Sequence, residues 1–209
     1  LIVVAGVLII FLENDYYQGI SFKIMFIHVP AAWLSLMIFV SMGISSIIGL
    51  IFKSPTSFTI SRSLSPVGLI MSIMVLITGS IWGNLTWGTY WVWDARLTSM
   101  LILAFIYLGH LFLLYSFEHF QKADFAASIL AIIGMVNIPI VKFSVDWWTT
   151  LHQGSSVFKV SGPSMTTDYL ITLMVSFFAI LLLSFYWFTN IFYIITENRR
   201  IERAKLLND

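Results

Sequence analysis

Long apolar runs separated by short polar links dominate the chain and predict a bundle of membrane-spanning helices. A helix needs about 20 mostly apolar residues to cross roughly 30 Å of hydrocarbon. Nearly every position within these runs is apolar, so run length and flanking charge decide the assignment rather than periodicity. We predict one all-α integral membrane domain over residues 1–209 with six transmembrane helices. Their approximate spans are 1–12, 22–52, 64–81, 97–117, 125–141 and 169–195.

Three of these spans have irregular features. Residues 1–12 are too few to cross the bilayer and no initiator Met or basic flank precedes them, so we interpret them as the end of a helix whose beginning is missing. In the second span, Pro30 predicts the helix start, because proline has no N–H and is tolerated in the first turn. His28 is then expected just before that helix, near the membrane surface. Asn137 and Pro139 are expected to interrupt the fifth span near its end.

The segment 82–96, WGNLTWGTYWVWDAR, connects the third and fourth spans and holds four of the eight tryptophans. If its second half is helical, the side chains at i, i+3, i+4 and i+7 share one face. They are Trp87, Tyr90, Trp91 and Asp94. We therefore predict a Trp-rich helix lying in the membrane interface. Interfacial Trp and Tyr are common in membrane proteins, but a block this dense also offers stacking area to a flat, apolar ligand.

Composition supports the membrane assignment and narrows the possible chemistry. Charged residues make up 10% of the chain, against roughly 25% in soluble domains. The net charge of +1 argues against nucleic acid as a partner. The chain has no cysteine, which excludes disulfides, thiolate metal sites and covalent thioether attachment of a cofactor to this chain.

The distribution of Lys and Arg predicts the orientation, because cytoplasmic loops carry an excess of them. One side of the predicted bundle holds seven of these cations and the other side four. The seven-cation side, with both termini, is predicted to be cytoplasmic, so segment 82–96 and the outer loop 142–168 share the outer face. The first group comprises Lys53, Arg62, Lys122, Arg199, Arg200, Arg203 and Lys205, and the second comprises Lys23, Arg96, Lys142 and Lys159.

The four histidines differ in predicted position. His119 falls in a cytoplasmic turn and is interpreted as a solvated surface residue. His110 lies inside the fourth span, where an ionisable residue indicates function by default, although a neutral imidazole can simply hydrogen-bond a neighbouring helix. His28 and His152 are both expected on the outer face beside the Trp-rich segment. Two imidazoles over an aromatic platform suit haem, for which His is a common axial ligand. On these grounds alone, haem binding and an interfacial aromatic belt are both open interpretations.

Four segments of the chain resemble the CcmC family, the heme exporter protein C (HelC) branch of the haem-handling membrane proteins. WGTYWVWDARLTS closely resembles the tryptophan-rich WWD signature. The three other segments are FIHVPAAW, ITGSIWG and NIPIVKFSVDWWTTLHQGS, and all four occur in the family's order along the chain. The resemblance covers about residues 17–156, with matching span topology beyond them. The related CcmF and CcsA proteins share the Trp-rich block but differ in size and histidine complement. Tyr90 stands where the family usually has another Trp.

The resemblance implies a function in cytochrome c maturation. Haem of b-type, bound without a covalent link, would be held at the outer face and delivered to the haem chaperone CcmE. The small protein CcmD and the ABC-type pair CcmA and CcmB are implied as further partners, in the lipid of a bacterial inner membrane or a mitochondrial inner membrane. The chain has no ATP-binding signature, so ATP hydrolysis is expected from the partners and enzyme activity is not expected from this chain.

The resemblance also implies roles for individual residues. His28 in HVPAA and His152 in TLHQG correspond to the family's axial haem ligands. Arg96 is a candidate partner of the haem propionates, since Arg suits carboxylates, with an internal pairing to the aspartate of WDAR as the alternative. Lys142 and Lys159 are further candidates for the propionates. The predicted haem platform or chaperone-docking surface comprises Trp82, Trp87, Gly88, Tyr90, Trp91, Trp93, Asp94, Trp147 and Trp148.

Two other classes of protein compete with a haem carrier. A membrane cytochrome would carry pairs of histidines within its helices, and only His110 lies deep enough. A secondary transporter would place broken helices and charged groups near the midplane, often in repeated halves. Asn137 and Pro139 break one helix, but the sequence shows no internal repeat and almost no buried charge is expected. Both alternatives are therefore less well supported than haem handling.

Overall fold

The computed structural model of the chain describes residues 1–152, 154, 157 and 162–208, and all regular secondary structure within them is helical. In chain order the helices are α1 (Ile2–Phe11), α2 (Met25–Phe52), α3 (Pro55–Trp87), α4 (Ala95–Tyr115), α5 (Phe120–Gly134), α6 (Asn137–Trp147) and α7 (Thr167–Asn208). A short 3₁₀ turn, Ile20–Ile24, leads directly into α2. Five helical stretches of the described chain are long and apolar enough to cross a membrane, with α5 and α6 together forming one of them. The predicted all-α membrane fold is confirmed.

The core forms where α2 and α3 pack against each other along their lengths. Only Lys53 and Ser54 join the two helices, and the Ser54 hydroxyl caps α3 by accepting a hydrogen bond from the Ser57 N–H at 3.3 Å. Across the interface, the hydroxyls of Ser35 and Ser72 are hydrogen-bonded at 2.7 Å. Small polar side chains of this kind let membrane helices approach closely and bond across the contact.

Gly68 of α3 has no side chain and so leaves room for the ring of Tyr107 in this core. Tyr107 is fully buried, and its hydroxyl donates a hydrogen bond to the Ser35 carbonyl at 2.7 Å. A Cβ atom at Gly68 would overlap the Tyr107 ring. A Cβ atom at Gly109 of α4 would instead meet only the flexible end of Leu130, at 3.3 Å. The two glycines therefore differ in what an added methyl group must displace.

We expect Gly68→Ala to lower the free energy of unfolding by about 1–3 kcal/mol, the usual cost of overpacking a core. Gly109→Ala is the matched control, because the Leu130 side chain can move aside and Ala favours a helix over Gly by about 1 kcal/mol. Thermal unfolding of both variants in detergent measures the difference. Equal midpoints for the two variants would show that the Tyr107 ring is free to move away from α3.

The start of α2 corrects the prediction made from Pro30. The helix begins at Met25, so His28 lies in its first turns and Pro30 lies inside the helix. The proline interrupts a single hydrogen bond, to the carbonyl of Phe26. A non-helical turn before Pro30 would leave several backbone groups unpaired in apolar surroundings, which costs more. Met25 and Phe26 are also buried against Leu173 of α7, which holds this turn in place.

The Trp-rich segment is not the interfacial helix that its spacing predicts. α3 continues through Trp87 and ends at Gly88, which adopts a left-handed conformation with φ 75°. Glycine commonly ends helices in this way because it has no Cβ to strain. α4 begins at Ala95, and Asp94 caps it by accepting a hydrogen bond from the Leu97 N–H at 2.7 Å. The stretch between the two caps is irregular, so its side chains do not share one helical face.

The predicted interruption of the fifth span is confirmed, but the bounds of the span differ from the prediction. It breaks between α5 and α6, and α6 begins at Asn137, whose side-chain amide donates to the Ser99 carbonyl at 2.9 Å. Pro139 is accommodated because it lies in the first turn of α6. Since α6 runs to Trp147, the predicted outer loop 142–168 is too long, and its first residues are helical.

A buried ion cluster joins α3, α5 and α7. The Asp124 carboxylate, 2% exposed, accepts hydrogen bonds from Arg62 at 2.5 Å and from Arg199 at 2.6 Å. Both guanidinium groups lie over the Phe120 ring, 4.4 and 4.6 Å from its centroid. The expectation of almost no buried charge is therefore wrong. Residues 53–63, which include Arg62, were also expected to link two spans, and most of them are helical. The physical reason is that α3 already begins at Pro55, two turns before Arg62.

Candidate functional site

A cavity of about 770 Å³ lies at the end of the bundle that carries the Trp-rich segment. Cavities for cofactors and other small molecules commonly measure about 300–1,000 Å³ and have mostly apolar walls. The wall here comes from α2 and the segment before it, from α3, α4, α6 and α7, and from the loop that follows α6, and it is largely aliphatic and aromatic. The cavity therefore suits a ligand of cofactor size with an apolar body.

His28 lines this cavity from the first turns of α2. Its Nδ1 lies 2.9 Å from the hydroxyl of Thr78 on α3, and its ring packs edge-on against Trp82 with the centroids 5.8 Å apart. Gly79 leaves room for the ring, because a Cβ atom there would lie 2.8 Å from His28 Cε1. Among the described residues, no hydrogen bond reaches Nε2 of His28. The imidazole is thus held by α3 through Nδ1, and its Nε2 has no hydrogen-bond partner among the described residues.

His152 lines the same cavity from the loop after α6. Its ring packs edge-on against Trp87, with the centroids 5.0 Å apart. Its Nδ1 lies 3.6 Å from Asp94 Oδ2, just beyond hydrogen-bonding distance, and neither atom has a closer polar partner in the part of the chain that is described. Burial, followed by the positive charge of Arg96, lowers the pKa of His152 from 6.5 to about 4, and Asp94 opposes this shift. The imidazole is therefore neutral at pH 7, the form that binds metals.

The aromatic residues of the predicted platform fall into two groups. Trp82, Trp87 and Trp91 line the cavity. The Nε1 of Trp82 donates to the Gln18 side chain at 2.8 Å, whereas the buried Nε1 of Trp91 has no partner among the described residues. The other aromatic members are more than half exposed and stand outside the cavity wall. They are Tyr90, Trp93, Trp147 and Trp148.

Arg96 lines the cavity from the first turn of α4. Acidic groups nearby interact with it electrostatically, but within the described residues its guanidinium forms no ion pair or direct hydrogen bond. The direct pairing with Asp94 is absent because Asp94 caps α4 with one oxygen and faces His152 with the other. Of the two lysines predicted to share its role, Lys142 lines the cavity and Lys159 lies outside the described residues.

His110 does not reach the cavity. It is 1% exposed, and its Nδ1 and Nε2 lie 3.0 Å and 3.5 Å from the hydroxyls of Ser65 and Ser61. Ser61 is in turn hydrogen-bonded to Ser46 of α2 at 2.9 Å. Both ring nitrogens therefore take part in a hydrogen-bond network that links α2, α3 and α4. His119, by contrast, is exposed.

Comparison with known proteins identifies the family of the chain. The family model described as heme exporter protein C, CcmC, matches residues 1–206. The chain belongs to the CcmC family. The resemblance predicted from the WWD-like string and its companion motifs is therefore confirmed.

Individual members of the CcmC family share much of the sequence. The chain is 46% identical over 170 residues to heme exporter protein C of Bradyrhizobium diazoefficiens, an alignment that covers 81% of this chain and 65% of that relative. It is 44% identical over 175 residues to heme exporter protein C of Escherichia coli K12, which covers 83% of this chain and 70% of that relative. A putative cytochrome c biosynthesis ccmC-like mitochondrial protein of Marchantia polymorpha is 46% identical over 188 residues, or 90% of this chain and 77% of the relative.

Gln18 and Gly79 line this CcmC-family cavity and Thr78 is hydrogen-bonded to His28, but none of the three was identified from the sequence. Gln18 precedes α2, and only the fold brings it to Trp82. Thr78 and Gly79 belong to the ITGSIWG string, where they look like an ordinary small-residue contact between membrane helices. Their spacing from Trp82, at four and three residues, was an available signal that the three face the same side of α3.

Proposed function

We propose that this CcmC-family protein binds haem in the cavity between His28 and His152 and delivers it to the haem chaperone CcmE. The observation that carries the proposal is the convergence of two imidazoles, one from α2 and one from the loop after α6, on the wall of a single aromatic cavity. The name of the relatives, heme exporter protein C, supports haem as the cargo. The protein would act as a haem carrier and not as an enzyme.

The cavity wall suits haem, which is a flat apolar macrocycle with an iron centre and two carboxylates. The imidazoles of His28 and His152 would supply axial nitrogen ligands. The indoles of Trp82 and Trp87 would offer rigid aromatic surface to the macrocycle. Arg96 would pair with a propionate, because it lines the cavity without a direct acidic partner among the described residues.

The binding would be non-covalent, as in b-type haem proteins. Thioether attachment needs cysteine, and the chain has none. The protein could therefore hand haem to CcmE without breaking a covalent bond to its own chain. Asp94 beside His152 would orient that ligand, since a histidine that binds metal commonly uses its other nitrogen to contact a carboxylate.

The membrane setting extends the proposal. We assign the cavity to the outer face, because the opposite end of the predicted topology holds the larger share of Lys and Arg. Both termini would then be cytoplasmic, in a bacterial inner membrane or on the equivalent side of a mitochondrial inner membrane. CcmD, CcmA and CcmB would be partners in a haem export complex within the lipid bilayer, with any ATP hydrolysis carried out by the partner subunits.

The exposed aromatics beside the cavity would form the docking surface for CcmE. Trp93 is 76% exposed and packs edge-on against Trp91 of the cavity wall, with the centroids 5.5 Å apart. Exposed tryptophans are frequent hot spots of protein interfaces, where truncation costs about 2 kcal/mol or more. Trp93 is therefore accessible to a partner protein and at the same time contacts the wall of the proposed haem cavity.

We expect Trp93→Ala to weaken CcmE binding by about 30-fold, the equivalent of roughly 2 kcal/mol, while bound haem is retained. Phe112→Ala is the control, since Phe112 is an equally exposed aromatic of α4 located far from the cavity. Affinity for CcmE and haem content are measured on the same preparations. A loss of haem with unchanged CcmE affinity would assign Trp93 to the haem site instead.

A test of the whole function uses cells that lack their own CcmC-family protein. Expression of this protein should restore covalent haem on CcmE, and a variant with both His28→Ala and His152→Ala should not. Restoration by the double variant at equal expression would rule out haem delivery through these ligands.

The competing classes find less support in the structure. Electron transfer through the bilayer would need a second deep haem site, and both ring nitrogens of His110 are engaged by serines. A secondary transporter would place charged groups and its substrate site near the midplane. The cavity, with Arg96 and Lys142 in its wall, instead lies at one end of the bundle, and the buried Arg62–Asp124 pair does not line it.

A further inference from the structure

We infer that Thr78 and Gly79 are positioning residues that hold the His28 imidazole in a single tautomer, with its Nε2 presented to the cavity. The inference deepens the proposed function and rests on it, because it concerns the residue proposed as a haem ligand. It identifies which atom of His28 would bind iron and which groups of α3 keep that atom in place.

The hydrogen bonds of Thr78 determine where the proton of His28 lies. The Thr78 hydroxyl lies 2.7 Å from the Met74 carbonyl, which can only accept, so the single hydroxyl proton is used in that bond. Thr78 Oγ1 must therefore accept in its 2.9 Å hydrogen bond with His28 Nδ1. The proton then resides on Nδ1, and in a neutral imidazole the lone pair is on Nε2. Nε2 is the ring nitrogen without a hydrogen bond among the described residues.

Neighbouring groups on the same face of α3 hold the ring in its position. The Val75 carbonyl lies beside the imidazole. Gly79 lets the ring approach the helix, because a Cβ atom there would lie 2.8 Å from His28 Cε1. Trp82 packs edge-on against the ring at a centroid distance of 5.8 Å. Positions 75, 78, 79 and 82 follow the i, i+3, i+4, i+7 pattern of one helical face. A single stretch of α3 therefore makes these contacts with the His28 ring.

Fixing the tautomer has a direct consequence for ligand binding. A metal-binding histidine commonly donates its second ring N–H to a protein acceptor, which fixes the ring and increases its basicity, and loss of that acceptor typically costs about 10–100-fold in metal affinity. Thr78 would be that acceptor for His28. Without it, either nitrogen can carry the proton, and the ring loses the bond that aims Nε2 at the cavity.

The first test needs neither haem nor a variant of Thr78. The ¹⁵N spectrum of the haem-free protein, labelled at histidine and assigned by replacing each of the four histidines, reports which ring nitrogen carries the proton. We expect His28 to be protonated at Nδ1 alone. Protonation at Nε2, or an even mixture of the two tautomers, would overturn the inference.

The second test compares two replacements of Thr78. Thr78→Val removes the acceptor at nearly constant shape and is expected to mix the tautomers and weaken haem binding by about 10–100-fold. Thr78→Ser retains the hydroxyl and is expected to resemble the wild type in both measurements. Thr59→Val is the matched control, since Thr59 is a buried threonine of α3. Among the described residues, its hydroxyl bonds only the Pro55 carbonyl, at 2.9 Å. Unchanged tautomer and affinity in Thr78→Val would overturn the inference.

Failure of the inference can be distinguished from failure of the proposed function. If His28→Ala binds haem as the wild type does, the ligand role of His28 is wrong, whatever the tautomer. If His28→Ala loses haem while Thr78→Val keeps both its tautomer and its haem affinity, the ligand role stands and Thr78 does not position it.

Discussion

Replacing Asp124 by Ala is expected to lower the free energy of unfolding by about 3–5 kcal/mol, the range typical of removing one partner from a buried ion pair. The Asp124 carboxylate is the acceptor shared by Arg62 of α3 and Arg199 of α7, whose side chains are 8% and 17% exposed. Its loss leaves two guanidinium groups in apolar surroundings, with the Phe120 ring as their remaining common contact. The packing of α3, α5 and α7 against one another would therefore be weaker at this cluster.

Unfolding in detergent, followed by helical circular dichroism, measures this effect. Glu197→Ala is the control, because Glu197 pairs with Arg200 at 2.8 Å on the surface, where such pairs contribute less than about 1 kcal/mol. A triple variant, Arg62→Met with Asp124→Leu and Arg199→Met, should recover most of the loss, since apolar side chains can replace a buried ion cluster. Similar stabilities for Asp124→Ala and Glu197→Ala would show that the arginines find water or other partners.

Replacing either His28 or His152 by Ala is expected to remove most of the bound haem. The two imidazoles line one cavity from different elements, α2 and the loop after α6, so neither is expected to take over the role of the other. Even loss of an outer hydrogen-bond partner costs about 10–100-fold in metal affinity, and loss of an axial ligand should cost more. The aromatic wall and Arg96 would retain a weaker affinity for the macrocycle.

Haem content per protein, measured after purification in the same detergent, tests this expectation. His119→Ala is the control, because His119 is exposed on the other side of the bundle and lies 3.9 Å from Glu202. Wild-type haem content in both His28→Ala and His152→Ala would contradict the ligand assignment. Loss in only one of them would leave that histidine as the sole protein ligand.

The sequence allowed much of the fold to be predicted, because the length of apolar runs is a direct physical requirement of the bilayer. Helix ends were predicted less well. Gly88 and Asp94 are ordinary capping residues, but the periodic spacing of the aromatic residues favoured a separate helix in the membrane interface. Pro30 indicated a helix start that the structure places five residues earlier. In each case a local pattern competed with a requirement for satisfied backbone groups in an apolar environment.

Prediction of the site was limited by tertiary contacts. His28, His152 and Arg96 were identified through chemistry and family motifs, and the structure places all three on one cavity. Thr78 and Gly79 lie 50 and 51 residues after His28 in sequence, and their contact with it depends on the register between α2 and α3. The pairing of Arg62 with Asp124 likewise depends on how two distant helices pack. Composition and spacing alone contain no information about these registers.

The electron paramagnetic resonance spectrum of ferric haem on the purified protein tests the central claim most directly. Two axial imidazoles make ferric iron low spin, whereas the loss of one leaves it high spin. We predict a low-spin signal for the wild type. The haem that remains on His28→Ala and on His152→Ala is expected to be high spin, and free imidazole is expected to restore the low-spin signal. A low-spin signal that persists unchanged in both single variants would contradict the claim that these two histidines hold haem.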